Sequence, residues 1–73
     1  MSNDVASELQ KTFGEKVAAR RRKLGLTQTQ LAEKLGIHQP DLCDMEKGRH
    51  SPTLETVEKV AETLGVAVKA LLD

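Results

Sequence analysis

Apolar residues recur along this chain at helical spacing, and nowhere with the sustained two-residue alternation of a strand. Leu9, Phe13, Val17 and Leu24 mark one stripe, which predicts a first helix ended by Gly25. Thr27 and Gln30 stand at capping-box spacing: the Thr27 hydroxyl can accept from the Gln30 amide while the Gln30 side chain reaches back. They open a short second helix through Leu31, Ala32 and Leu35, stopped by Gly36. A third helix is predicted over about 38–47. Pro40 is tolerated there because first-turn amides have no intrahelical partner, Leu42 and Met45 form its buried side, and Gly48 closes it. Thr53 caps a fourth helix carrying Leu54, Val57, Val60, Ala61 and Leu64, as far as Gly65. A last turn or two presents Val68, Leu71 and Leu72. The expected fold class is all-α, a compact five-helix bundle.

The junction between the second and third helices carries the most specific pattern. A helix-turn-helix needs a small residue where the second helix crosses the first, and Ala32 supplies it. It needs a residue free to take positive φ at the turn, which Gly36 provides, and an apolar residue to seal the angle, which is Ile37. Leu42 and Met45 then anchor the second helix. The motif occupies about 28–47.

Length and composition narrow the setting. With 73 residues the chain is expected to form one domain, 1–73, too small for a large enclosed active site. Residues 1–8 are either a frayed extension of the first helix or a short flexible arm. Cys43 is alone, so no internal disulfide is possible, and a reducing cytoplasm is the simplest compartment. No signal-peptide pattern opens the chain, and no apolar run approaches the roughly 20 residues that span a bilayer, so no membrane partner is expected. Phe13 is the single aromatic, which leaves no base-stacking platform for single strands or RNA.

Charge changes the picture by its distribution. The formal net charge is zero, without the basic excess usual in nucleic-acid binders. Between Lys11 and Lys23, however, six Lys and Arg face Glu15 alone, whereas from Ser51 onward Lys59 and Lys69 face Glu55, Glu58, Glu62 and Asp73. A neutral total can hide a basic face.

From Phe13 to Leu72 the chain resembles the phage-repressor or Cro-type (XRE-type) helix-turn-helix domains, through LTQTQLAEKLG, the Glu46 and Gly48 pair after the third helix, and PTLETVEKVAETLGV. The resemblance implies a lambda-repressor-like DNA-binding domain. Its third helix enters the major groove, usually as a homodimer on a two-fold symmetric, palindromic operator. It further implies that Gln28 contacts a phosphate and braces Gln39, which reads a base. Arg21 matches a partly buried Arg that pairs with Glu46 as a clamp between helices and touches phosphate. Lys47, Arg49 and His50 match a loop that lies along the phosphates, fixing register without reading sequence.

Pro40, Asp41 and Asp44 depart from that pattern. Helical spacing puts them on the exposed face with Gln39, among the candidate base-contacting residues. A carboxylate is repelled by phosphate yet can accept from cytosine N4. Asp41 has a second reading, a favourable interaction with the helix dipole in the first turn. Val68, Leu71 and Leu72 are more apolar than a small monomer should expose and form the candidate dimer interface, with Leu64 and Val66 either core or interface.

His38, Asp41, Cys43, Asp44 and His50 cluster in sequence, but His38 and Cys43 would lie about 140° apart on a helix, and no metal is expected. No cofactor or small-molecule ligand is expected either, and no nucleophile–base pattern or phosphate loop supports an enzyme. The expected function is a sequence-specific, double-stranded DNA-binding transcriptional regulator. The alternative is a protein-interaction module, antitoxin or adaptor on the same scaffold with weak or lost DNA binding.

Overall fold

The computed structural model describes residues 4–73, residues 4–7 by backbone alone. Part of the expected 1–8 extension lies outside the described residues, and from Asp4 onward the backbone is helical. Five helices follow in order: α1 (Asp4–Lys23), α2 (Gln28–Leu35), α3 (Gln39–Glu46), α4 (Leu54–Leu64) and α5 (Val68–Leu72). Among the described residues there is no strand, and the architecture is the all-α five-helix bundle that the periodicity predicts.

The local signals act as their chemistry requires. Gln30 N–H donates to Thr27 Oγ1 at 3.0 Å and Thr27 N–H to Gln30 Oε1 at 2.9 Å, closing the capping box. Thr53 Oγ1 accepts from Thr56 N–H at 3.1 Å and starts α4. The caps of α3 are its neighbours, His38 before it and Lys47 after it, so both lie just outside the helix. Gly36 turns the chain at φ 72°, and Ile37 N–H reaches back to Ala32 O at 3.0 Å. That left-handed residue sets the angle between α2 and α3.

α1 is the element on which the others rest: α3, α4 and α5 all pack against it, while α2 joins α3 to α4. Phe13 and Val17 on α1 meet Leu31, Leu42, Met45, Val60, Leu64 and Leu71 in one apolar cluster. Removing these side chains from water is the main driving force for the fold.

Four apolar positions end elsewhere than their spacing suggests. Helix α1 stops at Lys23, so Leu24 leaves the stripe and is exposed, and Leu26 packs against the core in its place. Leu9 is half exposed on the outer part of α1. Leu54 is 83% exposed, because it opens α4 beside a surface groove rather than over the core. Leu71 is 1% exposed, which removes it from the expected dimer surface. As α5 docks on α1 and α4, position 71 turns inward, and half-buried Val68 and Leu72 remain at the edge.

Gly14 explains how closely α1 and α3 approach. It lies inside a helix and is buried, and a Cβ there would sit 2.6 Å from Glu46 O and nearer still to Met45 O. The side-chain hydrogen lets the first helix lie backbone to backbone on the end of α3. An alanine normally stabilises a helix interior by about 1 kcal/mol over glycine. Gly14→Ala is expected to do the opposite, costing about 2–3 kcal/mol and lowering Tm by roughly 10 °C or more. Gly36→Ala, which meets only the strain of positive φ, should cost about 1–2 kcal/mol. Thermal and urea denaturation check the order; a stabilised Gly14→Ala protein would contradict the packing described.

Candidate nucleic-acid interface

One hydrogen-bonded chain links the first three helices. Arg21 Nε donates to Glu46 Oε2 at 2.7 Å and Arg21 Nη2 to Glu46 Oε1 at 3.0 Å, a two-point ion pair. The third arm of the guanidinium, Nη1, donates to Leu26 O at 2.9 Å. Both charged residues are buried, at 8% and 9% exposure, so the pair is shielded from solvent screening. Gln28 Nε2 then donates to Glu46 Oε1 at 2.9 Å, and Gln39 Nε2 to Gln28 Oε1 at 2.7 Å.

The direction of this chain follows from its anchor. A carboxylate only accepts, so Gln28 turns its NH₂ to Glu46 and its oxygen outward. That oxygen in turn demands the NH₂ of Gln39. Gln39 is left with one N–H and its Oε1 unused by the chain. Each link removes a rotational choice from the next, so a buried ion pair in α1 and α3 sets the orientation of a half-exposed amide at the start of α3.

The Arg21 guanidinium is raised above its ordinary range, first by the hydrogen bond to Glu46, against the opposing effect of burial, with attraction to the same carboxylate adding to the rise. A base whose pKa rises on folding contributes stability at every pH below its unfolded value and loses it only above. Arg21 therefore stays charged throughout the neutral range.

The other candidate residues sit around this chain. Pro40, Asp41 and Asp44 are exposed, on the same helix as Gln39 and outside the hydrogen-bonded chain. Asp41 lies in the first turn of α3, where His38 makes no side-chain cap bond. Lys47, Arg49 and His50 are exposed in the segment that follows. Arg49 N–H bonds to Asp44 O at 2.9 Å, which ties the start of that segment to α3. Among the described residues no group of three His, Cys, Asp or Glu is arranged to hold a metal ion, and Cys43 is half buried.

Three contributors escaped sequence reasoning. Gly14 had a signal, a glycine inside a helical pattern, which often marks close packing. Arg20 had none: within RRRK it reads as solvated charge, yet its Nε donates to Leu64 O at 3.1 Å and closes the end of α4. The Leu26 carbonyl that receives Arg21 is a backbone group, invisible to residue patterns.

Comparison with known proteins bears on this arrangement. Residues 17–71 match the helix-turn-helix family profile. The chain is 43% identical over 61 residues to an immunity repressor protein of Bacillus phage phi105, taking in 84% of this chain and 42% of that protein. It is 33% identical over 70 residues to the control protein C.BamHI of Bacillus amyloliquefaciens, taking in 94% of this chain and 86% of that one. The chain thus spans less than half the length of the phage repressor but most of the control protein. Its backbone is similar to the crystal structure of the clp gene regulator ClgR of C. glutamicum, with TM-score 0.84 and 28% identity over 88% of this chain and 82% of that chain.

Stranding one partner of a buried pair is costly, while removing both is not. Glu46→Ala is expected to cost about 3–5 kcal/mol, and the double variant Arg21→Met/Glu46→Met to recover most of it. Urea denaturation distinguishes them. A double variant no more stable than Glu46→Ala would mean that packing, and not charge, underlies the loss.

Proposed function

The chain belongs to the helix-turn-helix family, and from that premise we propose that it is a sequence-specific, double-stranded DNA-binding transcriptional regulator acting as a homodimer on a palindromic operator. In this reading α3 lies in the major groove, and the observation that carries it is the chain Arg21–Glu46–Gln28–Gln39. A free amide samples many rotamers, whereas a braced one presents its remaining Oε1 and N–H together. That pair matches adenine N6 and N7, a bidentate contact.

The other roles follow from position. Gln28 is the first residue of α2, whose opening amides lack intrahelical partners and suit a phosphate oxygen. Lys47, Arg49 and His50 contact or attract the backbone, while Arg21, buried in its pair with Glu46, holds the end of α3 from which they follow. Pro40, Asp41 and Asp44 border the bases, and an aspartate there favours a cytosine N4 donor at a cost in overall affinity. The names of the relatives, a phage immunity repressor and a clp gene regulator among them, support regulation of transcription as the setting.

The dimer surface is a groove of about 240 Å³ whose lining, from Leu9 and Phe13 through Pro52 and Leu54 to Val68 and Leu72, contains no charged residue. In a two-fold contact each residue approaches its own copy or a symmetry-related neighbour, so a charged lining would repel itself. Leu54, part of that lining and largely exposed, can enter the groove of the partner.

Selection from random duplexes at moderate salt should return one palindromic sequence; retention of no duplex at low or moderate salt overturns the reading in favour of a protein-interaction module. Gln39→Ala should lose about 1–3 kcal/mol of base preference at one position, while Arg49→Ala should weaken binding to all sequences alike. Identical behaviour of the two variants would refute the division of roles. Sedimentation velocity tests the dimer: Leu54→Glu should be a folded monomer at concentrations where the unaltered protein is a dimer. A dimeric Leu54→Glu protein would place the interface elsewhere.

A further inference from the structure

Lys11 lies 36 residues before Lys47 and two and a half turns before the RRRK run, and in the sequence it is only the first residue of a basic segment. The fold gives it neighbours. Gly48, just after α3, rests directly on α1: a Cβ there would be 3.0 Å from Lys11 Cα and Cγ and 3.3 Å from its amide nitrogen. This contact carries Lys11 into an open cleft of about 350 Å³ that it lines with Glu15, Glu46, Lys47 and Arg49.

The charges in that cleft are not balanced. Both Glu46 oxygens are taken by Arg21 and Gln28, so its charge is already compensated. Lys11, Lys47 and Arg49 then face Glu15 alone, and Lys11 makes no ion pair within 4.0 Å among the described residues. The cleft lies at the C-terminal end of α3, where the helix dipole is negative and would repel an anion unless cations were gathered there. Gln39 opens the same helix and Glu46 ends it, about 10 Å apart along the axis at 1.5 Å per residue, close to the width of a major groove. With Gln39 on the bases, the far end of α3 comes to the strand that walls the groove.

We infer that Lys11, Lys47 and Arg49 form a clamp for a backbone phosphodiester of duplex DNA at the exit of α3, with Lys11 the member that only the fold supplies. The clamp rests on the DNA-binding reading above. It adds register and affinity without reading sequence, because every step of the duplex offers the same phosphate.

The test uses the full chain and the duplex recovered by selection, with fluorescence anisotropy across a KCl series. Lys11→Ala should weaken binding on the order of threefold to tenfold for selected and scrambled duplexes alike. It should also make the slope of log K against log salt shallower by about 1. Lys11→Arg should restore most of both. Lys16→Ala, on a face of α1 that lines a different cleft with α5, should change affinity far less. An unchanged slope and affinity for Lys11→Ala, with normal binding by the unaltered protein, overturns the clamp while leaving the DNA reading intact. So does a loss confined to the selected sequence. Absence of binding by the unaltered protein removes the DNA reading itself. Circular dichroism melting confirms that each variant is folded, since Lys11 is exposed and its replacement leaves the core untouched.

Discussion

The buried pair between Arg21 and Glu46 is the interaction from which the rest of this surface is built. Two charges withdrawn from water lose hydration worth several kcal/mol each, and the pair is tolerable only when each of its nitrogens and oxygens has a hydrogen-bond partner. Here each has one: the guanidinium meets the carboxylate at two points and the Leu26 carbonyl at a third, and the carboxylate takes Gln28 as well. An apolar pair of similar volume could hold α1 to α3 equally well. It could not supply an acceptor for Gln28, and without that acceptor the orientation of Gln39 would be lost. The pair thus links packing of the first helix to the chemistry offered at the start of the third.

Close approach makes the pair possible. Gly14 lets the backbone of α1 lie on the carbonyls of Met45 and Glu46, and a turn earlier Gly48 lets the following segment lie on Lys11. Two residues without side chains therefore fix where α3 ends relative to α1. Around that junction the charges separate by task. Arg21 is consumed within the interior, Arg20 closes α4 through Leu64 O, and Lys11, Lys47 and Arg49 stay at the surface. A chain with no net charge can in this way keep a local excess of cations where an anion would lie.

Much of the fold was legible because helix boundaries here are written in local chemistry. Thr27 with Gln30, Thr53, Gly36 and Gly65 mark ends by hydrogen bonds and backbone angles spanning only a few residues. Periodicity failed where a helix stops contributing to the core. Leu24 falls after the last residue of α1, and Leu54 sits in a first turn that borders solvent. Leu71 went the other way, taken for a surface residue and found in the interior, because the docking of α5 decides which of its apolar residues faces inward.

The sequence by itself determined the five helices, the turn at Gly36 and Ile37, and the residue types able to read or attract DNA, since each depends on neighbours a few positions away. Its resemblance to known domains also pointed to the pairs Arg21–Glu46 and Gln28–Gln39. Only the tertiary structure decided how those pairs join into one chain with a fixed direction. It alone placed Lys11 beside Arg49, gave Arg20 a carbonyl to close, and demanded a glycine at position 14. These depend on distances between helices far apart in sequence, and such distances come from the packing of the whole core.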